Sequence, residues 1–345
     1  MKYKWLISLL GILFSSFASA QTVSNVVARQ VGGTVEITYN LDMPADISVQ
    51  LSLDGGESYT ITPKALTGNI GQGIKPGHNK IVWNLLADST DWDIKNARFK
   101  VISKKLDKLT FTIRGVSFTM VFVEGGTFTM GASFEQRSVA ENDENPPHQV
   151  TLKSYYIGQT EVTQELWNVV MGSNQAYYKK GGKYPIESVT WDDCQNFVKQ
   201  LNKLLASELG EKSFALPTEA QWEFAARGGN TIDTDIYKYS GSESVGLVAW
   251  FADNGSKITH SVASKKANKL GIYDMSGNVW EWCEDFYSDY SNYPQIDPIG
   301  SGDGNRHVYR GGCVNSPSTC CRVSYRNCAT PGTRTPYLGF RIVCR

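Results

Sequence analysis

The strongest constraint on folding lies in residues 277–341, where three glycine-bearing motifs follow one another: Gly277-Asn278-Val279-Trp280-Glu281-Trp282, Val308-Tyr309-Arg310-Gly311-Gly312 and Leu338-Gly339-Phe340-Arg341. The chain carries 32 Gly, 17 Tyr and 9 Trp, a composition that points to a loop-rich fold held by large aromatic anchors. With 34 basic and 34 acidic side chains the formal net charge is zero. No global field therefore draws nucleic acid or anionic lipid, and no nucleic-acid partner is expected.

Lys2 and Lys4 precede an apolar run from Trp5 to Phe17 that closes on Ala18-Ser19-Ala20 before Gln21. Charged, apolar and small-residue regions in that order predict a secretory signal over residues 1–20, and hence export from a bacterial cell to the periplasm, cell surface or medium. The run is too short to span a bilayer, no later segment is apolar enough, and no cysteine follows Ala20 to carry a lipid. Seven cysteines in an exported chain favour disulfides, with the odd count leaving at least one sulfur over.

Residues 21–345 are too many for one small core and predict two domains. Val35, Ile37, Tyr39 and Leu41 alternate with polar residues, as do Ile47, Val49, Leu51 and Leu53, with a turn at Asp54-Gly55-Gly56. Further strands are expected at 80–85 and 97–102. Short, evenly spaced, half-buried strands predict an all-β immunoglobulin-like sandwich over residues 21–105, serving as spacer or docking module. Residues 103–108 read as a charged connector, and a second domain is expected over 109–345.

That second domain opens on Gly125-Gly126-Thr127-Phe128-Thr129-Met130-Gly131. Thr163, in Glu161-Val162-Thr163-Gln164, is placed to cap a helix running to Met171. Thr190 is placed to cap one that carries Cys194, Phe197, Val198, Leu201 and Leu204 on a single face. Thr218 is the cap in Leu216-Pro217-Thr218-Glu219-Ala220-Gln221-Trp222-Glu223-Phe224-Ala225. With the motifs of residues 277–341, this ordered set resembles the formylglycine-generating enzyme (sulfatase-modifying factor) superfamily.

The resemblance implies an α+β, loop-rich variant of the C-type lectin fold with bound calcium, a scaffold that catalyses in some members and only binds ligands in others. The enzymes of the family hold copper through two cysteines and oxidise a sulfatase cysteine with oxygen. Counted from Gly312, those two positions are Ser316 and Cys321. A serine hydroxyl is a hard, neutral, poor ligand for copper(I), so no catalytic residue and no copper are expected. For calcium the resemblance gives Asp274 and Glu281 with the backbone carbonyls of Gly277 and Val279, hard oxygens of the kind that ion takes. The family's disulfide maps to Val198 and Ile342, which suggests a displaced bridge from Cys194 to Cys344, with Cys283 then pairing with Cys321.

Residues 313–337 contain no Lys, Glu, Gln, Met or Trp, the types whose codons cannot end in cytosine. Asparagine codons with both adenines randomised yield the residues found here, which is how diversity-generating retroelements vary lectin-fold target proteins. Asn315, Ser316, Pro317, Thr319, Cys320, Cys328, Ala329, Thr333, Thr335, Pro336 and Tyr337 are the candidate ligand-binding residues, and residues 322–326 the constant strand between varied loops. Tyrosine among asparagines and threonines is the mix of rigid and adaptable groups found in antibody-like binding surfaces. The expectation is an exported, calcium-stabilised lectin-fold protein that binds a protein or glycan. A formylglycine-generating oxidase and a structural subunit of an envelope complex are the alternatives.

Overall fold

The computed structural model describes residues 23–42, 44–88, 92, 94–210, 212–230 and 236–345. The predicted export signal lies outside them. The chain divides into two compact units, one reaching Asp107 and taking in Leu205–Lys212, the other made of Lys108–Leu204 and Ser213–Arg345.

In the first unit, β1 (Val23–Val31), β2 (Thr34–Leu41), β6 (Gly77–Asn84) and β4 (Leu66–Gly68) form one antiparallel sheet in the order β1-β2-β6-β4. A second has the order β5-β3-β7, from β5 (Gly71–Ile74), β3 (Ala45–Ser52) and β7 (Arg98–Lys105). A short helix, α1 (Leu85–Asp88), follows β6. The period-two pattern works as expected: Val35, Ile37, Tyr39 and Leu41 on β2 and Ile47, Val49 and Leu51 on β3 are buried in one core with Ile81 and Trp83. The expected connector at 103–108 is replaced by strand, since β7 runs to Lys105 and only two residues separate it from β8 (Lys108–Ile113).

The second unit contains three sheets. The five-stranded one has the order β13-β19-β12-β9-β8, with β13 (Phe214–Ala215), β19 (Val343–Cys344), β12 (Tyr155–Gly158) and β9 (Val116–Val123). Next to it in chain order, β10 (Gly126–Met130), β11 (His148–Leu152) and β15 (Gln295–Ile296) make a three-stranded sheet. The third sheet, ordered β17-β16-β14-β18, joins β14 (Trp280–Phe286), β16 (His307–Arg310), β17 (Arg326–Ala329) and β18 (Leu338–Gly339), so the end motifs meet on neighbouring strands.

All three expected caps are made. Thr163 Oγ1 accepts from Leu166 N at the start of α2 (Gln164–Met171), and Thr190 Oγ1 accepts from Asp193 N at the start of α3 (Trp191–Leu204). Beyond α3 comes the single turn α4 (Ala206–Leu209), and then α5 (Glu219–Ala226), where Thr218 and Gln221 form a reciprocal capping box. Every residue of α5 is buried, because it crosses the core beneath β10, β14 and β16. Its Trp222 and Phe224 pack with Val121, Tyr155, Met275, Val308 and Val343. The rings of Trp167, Phe197 and Phe340 form a separate aromatic packing in which α2, α3 and the Leu-Gly-Phe-Arg motif meet.

Buried arginine–carboxylate pairs brace this unit. Arg322 bonds both oxygens of Glu144 at 2.5 and 2.7 Å, Arg326 bonds both of Glu219 at 2.6 and 2.8 Å, and Arg341 bonds both of Glu281 at 2.6 Å. Arg310 pairs with Glu223. Each charge answers another and most of the remaining donors find carbonyls, which is what makes burial of so many ions tolerable, although Arg310 Nε is buried with no hydrogen-bond partner among the described residues.

Candidate functional site

Residues 311–337 include β17 of the third sheet, and strand periodicity decides which face each side chain of that sheet takes. Trp280, Trp282, Tyr309 and Asn327 occupy one face of that sheet, while Glu281, Arg310 and Arg326 occupy the other and enter the ion pairs. The Trp280 ring lies 5.0 Å from Tyr309 and 5.9 Å from Tyr325, all three half-buried. Tyr337, in the next loop, belongs to a second aromatic group, its hydroxyl 3.1 Å from that of Tyr178, which packs against the exposed Tyr177. Reading the loops alone missed this aromatic floor. The alternation Trp280/Trp282 and the Tyr309 register were the signals available for it.

Of the predicted ligand residues, Cys320 lies beside two of these rings, Tyr309 and Tyr325. Asn315, Pro317 and Thr319 are exposed, and Cys320, Ala329, Thr333, Thr335, Pro336 and Tyr337 are partly so. Two do not belong with them. Cys328 shares the inner face with Arg326 and is 7% exposed, and Ser316 is also 7% exposed. Residues 322–325 are a buried turn rather than a strand, because Arg322 and Ser324 reach inward to Glu144, and strand begins only at Arg326. The loop at 330–337 is tied down by Arg334, which donates to Asp193 Oδ2 at 2.8 Å, and by Thr335 O, which accepts from Ser188 N.

Ser316 and Cys321 do not form a two-thiol site. The Ser316 hydroxyl closes a tight turn, accepting from Cys313 N at 3.2 Å and touching Cys313 Sγ at 3.1 Å. Burial pushes the Cys321 thiol well above its ordinary pKa, and Cys313 is raised by the same cause. With a hydroxyl at one of the two positions, this pair does not offer copper(I) the two thiolates it takes.

The expected disulfides are absent among the described residues. Cys283 is packed in the main core, whereas Cys321 lies in a separate cluster with Tyr239, Val248 and Phe251. Cys194 is in the first turn of α3, while Cys344 pairs across strands with Phe214, which hydrogen-bonds Asn202 eight residues further along that helix. Eight residues of helix span about 12 Å, so the strand of Cys344 is fastened toward the other end of α3 from Cys194.

The calcium positions come together with an acid not foreseen. Glu161 accepts from Asn278 Nδ2 at 2.7 Å and from Val279 N at 3.1 Å, bringing it beside Asp274 and Glu281. Glu281 itself is engaged by Arg341 and by Trp222 Nε1, at 2.7 Å, while Asp274 Oδ2 accepts from Ala263 N at 2.7 Å. Three buried carboxylates thus share the single guanidinium of Arg341. Burial, and then the charges of Asp274 and Glu281, push Glu161 well above the ordinary carboxylate range, and burial lifts Asp274 to about 6. Of the expected calcium set, Asp274 and the Gly277 and Val279 carbonyls remain to offer hard oxygens, Glu281 being engaged by Arg341 and Trp222, and among the described residues no group of three or more acids, histidines or cysteines is placed to hold one metal ion. Gly277 has φ +81°, and a Cβ there would meet Trp250 O at 2.3 Å, so the turn demands glycine.

Long ordered loops over a β-rich scaffold, riveted by buried ion pairs and floored with aromatic rings, define a loop-presenting lectin-like domain. Residues 114–345 match the sulfatase-modifying factor enzyme 1-like domain, and the chain belongs to that family. It is 32% identical over 273 residues to the chaperone protein LppX of Paenibacillus barcinonensis, covering 66% of this chain and 90% of that one. It is 28% identical to the formylglycine-generating enzyme of Streptomyces coelicolor, covering 64% of this chain and 87% of the relative. A serine/threonine-protein kinase of Chlamydia caviae is 33% identical, but the chain spans 37% of its length. Among solved structures, Treponema denticola variable protein 1 superposes with a TM-score of 0.62 at 31% identity, over 70% of this chain and the whole of that one.

Proposed function

We propose that this chain is an exported, calcium-stabilised, lectin-fold binding protein. Its loops at 313–337 form the ligand surface, and its N-terminal β unit is an immunoglobulin-like spacer that displays them. The observation that carries the reading is the division of labour in the third sheet. Charged rivets fill one face, and aromatic rings with Asn327 among them fill the other. Large rigid rings with adaptable hydroxyls and amides recognise proteins and glycans at low entropic cost. Likeness to a protein named for its variability supports a diversified surface, and a retroelement with a near-copy of the coding segment beside the gene is expected. Screening the protein on glycan and peptide arrays tests the function. Binding should disappear in N315A/T319A/Y337A while melting is kept, and binding indifferent to those changes would overturn the proposal.

One observation favours the oxidase alternative, the Cys313 thiol touching the Ser316 hydroxyl at the family's copper position. The ligand chemistry weighs against it. Incubation with copper, oxygen and a sulfatase-motif peptide is expected to leave the peptide cysteine unmodified, and steady turnover that Cys313→Ser removes would establish the oxidase instead.

A further inference from the structure

A cleft of about 580 Å³ opens between β10, residues 133–137 and the residues that follow α5, and none of residues 313–337 lines it. Its lining carries two exposed rings, Phe134 at 86% and Tyr237 at 38%. A ring exposed singly is ordinary on a protein surface. Two on one recess make an apolar patch that the packing of the fold does not account for.

The same lining holds neutral hydrogen-bonding groups with capacity to spare. β10 pairs with β11 so that Thr127 faces Thr151 and Thr129 faces Gln149, and these four side chains share the face opposite the buried Val150. Gln149 Nε2 donates to Thr129 Oγ1 at 2.8 Å, which leaves the Thr129 proton and the Gln149 carbonyl oxygen for another partner. Thr127 Oγ1 shares one hydrogen bond with Thr151 Oγ1 at 2.8 Å and keeps acceptor capacity. Arg137, exposed on the lining, adds further N–H donors. Glu135 and Arg227 neutralise each other at 2.6 Å and do not recruit an ion.

Free donors beside free acceptors, next to apolar rings, match a ligand whose own surface has both characters. A pyranose has an apolar face of C–H bonds and a rim of hydroxyls, each able to donate and to accept at once. Rigid rings give such a ligand contact area, and hydroxyls and amides adapt to its rim. The volume is that of a small-molecule pocket. We propose that this cleft binds a neutral disaccharide, one ring of which rests its C–H face on Phe134 and turns its hydroxyls to Thr129 and Gln149.

Calorimetric titration of the full chain with cellobiose, maltose, lactose and mannobiose tests this. At least one should bind saturably, with a Kd of about 1 mM or tighter. Phe134→Ala, at a ring that packs little in the fold, should weaken that binding at least about tenfold without moving the melting temperature. Thr129→Val keeps the shape of the side chain, removes the hydroxyl and should weaken binding about two- to tenfold. Saturable binding of none of the four sugars, or binding undiminished in either variant, would overturn the assignment. So would sugar binding that N315A/T319A/Y337A removes and Phe134→Ala keeps, since the sugar would then sit on the 313–337 loops.

Discussion

Asp285 shows how far burial shapes single residues here. It accepts from Glu219 N, the first amide of α5, at 2.8 Å, and burial together with the nearby Glu219 charge lifts its pKa to about 8. An ordinary aspartic acid titrates near 4 when unfolded. Between about pH 4 and pH 8 the folded state therefore holds a proton the unfolded state has lost, and Asp285 contributes a stability that declines as pH rises through that window. Asp285→Asn keeps an oxygen for the Glu219 amide and carries no charge. It should raise the melting temperature at pH 8 more than at pH 5, and parallel melting curves for parent and variant across that range would remove the argument. Nothing local in the sequence announced this residue, nor Glu161. Both owe their behaviour to neighbours that the chain brings in from far away, such as Asn278 at a separation of 117 residues from Glu161.

At the level of elements, helices and their caps were legible because a cap is a local bargain between a threonine and amides two or three residues on. The alternating strands of the first unit were equally plain. The cysteine pairings were misread, since spacing along the chain says nothing about which end of α3 faces β13. Similarly, the loops at 313–337 were legible as a compositional oddity, but the half-buried cluster of Trp280, Tyr309 and Tyr325 at the neighbouring sheet was not. The exposure of the loops makes a prediction: substitutions at Thr319, Ala329, Thr333 and Thr335 should change stability by no more than about half a kcal/mol. Gly339→Ala should be far more costly, about 1–3 kcal/mol or more, because its Cβ would meet Ile186 O at 2.2 Å in a strand that cannot shift. A deep scan by thermal shift that finds both groups alike would remove the loops from the binding surface.

For the whole molecule, the calcium proposed at Asp274 would be an external contribution to stability. At a calcium concentration a hundredfold above the dissociation constant, linkage gives about 2.7 kcal/mol, or about 5–10 °C of melting temperature for a domain of this size. A chelator should lower the melting temperature of the second unit by that order, and Asp274→Ala should abolish the response. Melting indifferent to chelator in the parent protein would leave Arg341 as the sole counter-charge. The ion pairs also have an order in time. Glu135 and Glu223 precede Arg227, Glu144 precedes Arg322, Glu219 and Glu223 precede Arg310 and Arg326, and Glu281 precedes Arg341. On a ribosome or in an export channel, every carboxylate therefore emerges before the guanidinium that neutralises it. The last of these buried pairs can form only once residue 341 has arrived.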